Sequence, residues 1–198
     1  MTFHAKNKFG SNLLLAALLI FFSCEESHFP KEHGFPRMDL PTPEYQTYKS
    51  NHPFEFDLSK YAIAYDDSSR LAEPHWINIK YPSLAAEVQL TYKNFNGDFK
   101  KLNEHIEDAR KLVNKHNIKA YGIEETRIKT AQGQWAYLFA LNGQVPTQLQ
   151  FYTTDSLNHY LRGALYFRTA THNDSLAPAI KYISNDMLHL ISTLHWKK

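Results

Sequence analysis

The chain is 198 residues long and 21% charged, with a formal net charge of +2 and a mean hydropathy of -0.49. These values exclude a protein built of membrane-spanning helices, and they give no electrostatic basis for nucleic-acid binding, so no nucleic-acid partner is expected. A single cysteine excludes an internal disulfide and a thiolate-rich metal centre.

Residues 1–23 have the three parts of an export leader: basic Lys6 and Lys8, an apolar core from Leu13 to Phe22, and the small residue Ser23. As a helix the apolar core covers about 15 Å, about half the thickness of a bilayer interior, so it reads as a leader rather than a span. Cys24 follows directly. That position makes it the expected lipid-attachment site, new amino terminus and membrane anchor, carrying palmitate-class acyl chains. Phe21 and Phe22 are bulkier than the residues that usually precede such a cysteine. Removing the leader takes away Lys6 and Lys8, which brings the 22 basic side chains level with the 20 acidic ones. The working domain is therefore neutral.

Residues 24–48 read as a tether. Pro30, Pro36, Pro41 and Pro43 disfavour helix and central strand and favour an extended path. Phe35 to Pro41, with Arg37 in its middle, is apolar enough to pack on the protein's own domain, the favoured reading, or on a partner.

Residues 49–198 read as one globular α+β domain. Alternation at Phe54, Phe56 and Leu58, then at Tyr61, Ile63 and Tyr65, predicts one or two strands. Strands are also predicted over 75–81 and 86–92. From Phe99 the period becomes helical, with Asp98 beside its start and Phe99, Leu102, Ile106, Ala109, Leu112 and Val113 on the predicted buried stripe. Four further strands, over 121–129, 135–141, 148–153 and 160–168, are expected to form a meander. Asn142-Gly143 is its strongest hairpin signal, favouring a two-residue type I′ turn. A last helix follows Asn173-Asp174-Ser175, with Trp196 closing the domain. The expected architecture is a mostly antiparallel sheet of about six to seven strands carrying two helices, an order similar to PsbP/Mog1-like folds.

Motifs for catalysis are missing from the sequence. There is no HExxH, no GxSxG, no phosphate-binding glycine loop, and the histidines show no metal-ligand spacing. No cofactor, metal or catalytic residue is expected, and the chain is not read as an enzyme. One stretch stands out. Arg162-Gly163 interrupts an apolar strand, where glycine marks close backbone approach and a half-buried arginine needs partners. A helix crossing at Gly163 with Arg162 pinned to the other face is the structural reading. The functional reading is a binding surface formed by Arg37, Tyr160, Arg162, Gly163 and Tyr166.

Several blocks then carry a resemblance: FPRMDLP at 35–41, HPFEFDLSKYA at 52–62, the histidine-tryptophan strand at 75–81, EDARKLVNKHNIKA at 107–120, LRGALYF at 161–167 and DSLAPAI at 174–180. In number and order they resemble the gliding-motility lipoprotein family GldD. The resemblance implies an envelope lipoprotein, its domain in the periplasm. It further implies work with gliding-motility and type IX secretion machinery through protein partners, and it implies no enzymatic activity. Two other readings stay open: a module binding an envelope ligand such as peptidoglycan or lipid, and a periplasmic hydrolase. An apolar groove would favour the protein-partner reading. A polar pocket around Arg162 would favour the ligand module, and converging histidine and carboxylate side chains the hydrolase.

Overall fold

Three strands that alternate cleanly in sequence lie side by side at one end of a sheet, and four more complete it. The computed structural model describes residues 38–116, 120–168 and 173–197, all within a compact unit spanning Phe35–Lys198. The leader, Cys24 and Arg37 lie outside the described residues.

In chain order the elements are β1 (Tyr45–Tyr48), β2 (Phe54–Ser59), β3 (Ile63–Asp66), β4 (Ile77–Tyr81), β5 (Ala86–Asn94), α1 (Phe99–Asn114), β6 (Ala120–Lys129), β7 (Trp135–Gly143), β8 (Leu149–Thr154), β9 (His159–Phe167), α2 (Asn173–Thr193) and β10 (His195–Trp196). The seven-stranded sheet has the order β3-β4-β5-β9-β8-β7-β6, and a three-stranded sheet has the order β1-β2-β10. Every neighbouring pair is antiparallel. The fold is α+β, and the four strands after α1 form the meander that their turn residues predicted.

Period-two alternation gives the large sheet two apolar faces, and each is covered by a different helix. One face carries Ile77, Ile79, Val88, Leu90, Phe151, Leu161 and Leu165, packed with Ile183, Met187 and Ile191 of α2 and with Phe54 and Phe56 of β2. The other carries Phe139, Leu141, Tyr152 and Tyr160, packed with Leu102, Ala109 and Val113 of α1. The helices thus sandwich the sheet.

The start of α1 follows from local chemistry. Asn96 and Gly97 take positive φ of 48° and 72°, and the Asp98 carboxylate accepts from the N–H groups of Lys100 and Lys101 at 3.0 and 3.3 Å. The buried stripe is narrower than the sequence predicted. Phe99 is 62% exposed and Leu112 37% exposed. Leu112 stands roughly 90° round the helix from the line through Leu102, Ala109 and Val113, and Phe99 comes a turn before the first buried residue.

Two further differences concern connections. Asn142 and Gly143 do not form a two-residue turn. They belong to β7 and pair with Gly122 and Ala120 of β6. The chain reverses over 144–148 instead, where Leu141 N–H donates to the Gln148 carbonyl and Val145 is fully buried. A tight turn would leave that valine no route into the core beneath α1. Residues 45–48, read as the end of the tether, form β1 against β2, and Met38 and Leu40 pack on the main core.

The chain end is fastened as its tryptophan implied. The Gln132 amide donates to the Trp196 carbonyl and accepts from the Trp196 N–H, both at 3.0 Å. The indole meets Phe54 edge-on and stacks on His159.

Candidate functional site

The residues singled out on β9 divide between the two faces of the sheet. Gly163 points into the core beneath α2. A Cβ there would lie 2.2 Å from Phe151 Cε1 and 2.9 Å from Leu90 Cδ2. The close neighbour is thus the Phe151 ring rather than a crossing helix, and Gly163 belongs to no surface. Tyr160 is 3% exposed and buried against α1, its hydroxyl donating to the His105 carbonyl at 3.2 Å. Burial pushes its pKa up. Arg162 shares that side of the sheet, half-buried between Thr91 and Tyr152 in register. It donates to the Gln150 amide oxygen at 2.5 Å, which supplies the partner a half-buried arginine needs. Tyr166, also on that side, lines a shallow groove with Lys80, Glu87 and Arg168. The five-residue surface therefore does not form as a unit: Gly163 and Tyr160 are core, and Arg37 is outside the described residues.

A groove of about 630 Å³ lies on the opposite face, between α2, from Ala177 to Leu188, and the hairpin β6–β7. Thr126, Ile128, Leu138, Ala140 and Leu149 line the sheet side, and Ala177, Ile180 and Leu188 line the helix side. Tyr121, 86% exposed, stands at its mouth with Leu188, 37% exposed. Glu124 and Lys181 provide charges of both signs at the lining. Pattern reading passed over Leu188 because it falls off the buried stripe of α2. An apolar residue on the outward side of a helix was the available signal.

Two polar clusters complete the inventory. In one, His52 Nε2 lies 3.2 Å from Asp66 Oδ1 and His52 Nδ1 lies 3.2 Å from His75 Nδ1. His75 has φ of 67°, an uncommon backbone state for a residue with a side chain. Burial lowers the His52 pKa against the opposing pull of Asp66. Histidine and carboxylate thus converge here, as the hydrolase reading required. Both His52 ring nitrogens are taken by these partners, and neither is bonded to a hydroxyl or thiol that could act as nucleophile. Among the described residues no group of three or more His, Cys, Asp or Glu side chains could hold a metal ion.

In the other cluster, Asp186 of α2 is 3% exposed and accepts from the Tyr45 hydroxyl at 2.9 Å. Tyr45 also stacks on His189, with ring centroids 3.7 Å apart. Burial raises the Asp186 pKa, and the hydrogen bond from Tyr45 offsets only part of that rise. This cluster fastens β1 to α2.

Comparison with known proteins gives one family. The family described as gliding motility lipoprotein GldD matches residues 25–196. No curated protein matches the sequence. Among solved structures, the solution structure of cyanobacterial PsbP (CyanoP) from Synechocystis sp. PCC 6803 is similar, at 11% identity and a TM-score of 0.44, over 81% of this chain and 97% of that one. With its match running through both helices and both sheets, the chain belongs to the gliding motility lipoprotein GldD family.

Proposed function

We propose that this lipoprotein is anchored through Cys24 with its domain in the periplasm. It serves there as an accessory or assembly component of the gliding-motility and type IX secretion machinery by binding another envelope protein. The observation that supports this reading is the groove between α2 and β6–β7. Its lining is largely apolar, and its mouth carries exposed Tyr121 and Leu188. Apolar lining with exposed aromatic and aliphatic side chains is the composition of a protein contact surface. No cofactor or turnover is assigned.

The test is a photoreactive p-benzoylphenylalanine in place of Leu188 or Tyr121 in gliding cells. The expected product is a covalent adduct with another component of the motility or secretion apparatus. Recovery of no envelope protein above a lipid-anchored control overturns the reading. The mass of the mature amino terminus tests the anchor, and an unmodified Cys24 thiol sinks it.

A second reading has an observation of its own. About 630 Å³ falls within the usual range of small-ligand sites, so the same groove would accept a lipid chain. A lipid co-purifying with the domain and lost on Leu188→Asp would favour an envelope-ligand module.

A further inference from the structure

The two ends of the seven-stranded sheet differ in what they expose. The β6 end carries the groove just described. The β3 end carries exposed apolar side chains of its own. Ile63 is 58% exposed, Tyr65 40%, Tyr61 39%, and Leu71, in the loop after β3, 74%. The Tyr65 hydroxyl bonds Glu87 at 2.7 Å and the Tyr61 hydroxyl reaches Glu44 at 3.5 Å. Each ring therefore has a satisfied polar tip and a bare body, the form of side chain enriched where lipid meets water.

This end is also where the anchored chain enters the domain. Glu44, just before β1, accepts through its carbonyl from the Lys60 N–H at 2.8 Å and pairs with the Lys60 ammonium at 3.0 Å. Lys60 and Tyr61 lead directly into β3. Met38 already packs on the main core, and fourteen residues separate it from Cys24, a leash of at most about 50 Å. Tethering at that length holds the local lipid surface at high effective concentration, so a small apolar patch suffices to dock.

We infer that the β3 edge, with Tyr61, Ile63, Tyr65 and Leu71, is a lipid-facing surface that seats the domain against the bilayer holding its anchor. The inference rests on membrane anchoring at Cys24 and deepens it. Nearby charges balance, with Asp66, Asp67 and Glu87 set against Arg70, Lys80 and Arg168, so the contact is with the lipid interface rather than with anionic headgroups in particular. Six strand spacings separate β3 from β6 in the sheet order, about 29 Å at the usual spacing. Seating β3 on lipid presents the α2 groove away from the membrane, where a protein partner can reach it.

The experiment uses the mature chain anchored in phosphatidylcholine vesicles through Cys24. Anchoring is by its own acyl groups or, where its mass shows none, by coupling that sole thiol to a maleimide lipid. The anchoring reading and this one thus fail separately. p-Benzoylphenylalanine replaces Ile63, Leu71 or, as a control on α1, Glu104, and irradiation is followed by mass spectrometry. At least ten-fold more lipid adduct is expected at 63 and 71 than at 104. Equal yields at all three positions overturn the inference. Adducts to a second copy of the chain at 63 and 71, without lipid, overturn it equally by making the edge a protein interface.

Discussion

Gly163 shows how far one residue's meaning depends on its surroundings. In sequence it marks close approach, and the structure supplies the neighbour: a Phe151 ring 1% exposed and unable to retreat. Gly163→Ala is therefore expected to destabilise the domain by about 3 kcal/mol, at the upper end of overpacking costs, measured by denaturant unfolding. Arg162→Ala is expected to cost about 1–2 kcal/mol, because it leaves the buried Gln150 oxygen without its donor. A melting temperature unchanged from wild type would instead mark Arg162 as purely a surface group. Asp186 carries a pH signature. Its pKa is raised in the fold, so the folded state holds the proton more tightly than the unfolded chain. The stability this contributes is greatest below the ordinary carboxylate range near 4 and is lost as pH rises through the folded pKa. The melting temperature of wild type relative to Asp186→Asn is thus expected to increase as pH falls from 7 towards 4. A difference constant over that range would show the carboxyl to be unperturbed.

At the scale of elements, strands were more legible than connections. Alternation located the inner strands β4, β5, β7, β8 and β9, which bury side chains, and also β2, while the edge strands β3 and β6 bury none; the 3.6-residue period located both helices. The two-strand attachments were not legible. β1 is short and follows prolines, and β10 has two residues. Neither is long enough to show a period, and both exist because tertiary partners hold them: Asp186 beneath Tyr45, and Gln132 across Trp196. Trp196→Ala is expected to cost about 3–5 kcal/mol and to release β10 from β2, visible as loss of amide-exchange protection in both. Protection unchanged in β2 would show that the indole does not fasten it. The Asn142-Gly143 signal failed for a related reason. Turn propensity is worth little beside burial of Val145, so the hairpin lengthened to bring that side chain inside.

At the scale of the molecule, the helices lie on opposite faces of one antiparallel sheet, and its two ends expose different apolar surfaces. Leu188→Asp is expected to change stability by less than about 0.5 kcal/mol, as for an exposed position, while abolishing the crosslink at Tyr121 in cells. Loss of folding in that variant, followed by thermal unfolding, would mean that the groove is core rather than surface.

Sequence alone determined both helices, the longer strands, the α+β class, the lack of a catalytic motif and the family to which the blocks point, because periodicity and motif are written residue by residue. Only the tertiary structure decided which helix covers which face, that Phe151 is the ring against Gly163, and that His52 meets His75 across 23 positions of sequence. The same holds for the groove between α2 and β6–β7. Each is a relation between residues distant in the chain, set by how two apolar faces of a single sheet are covered at once, and no local pattern encodes that choice.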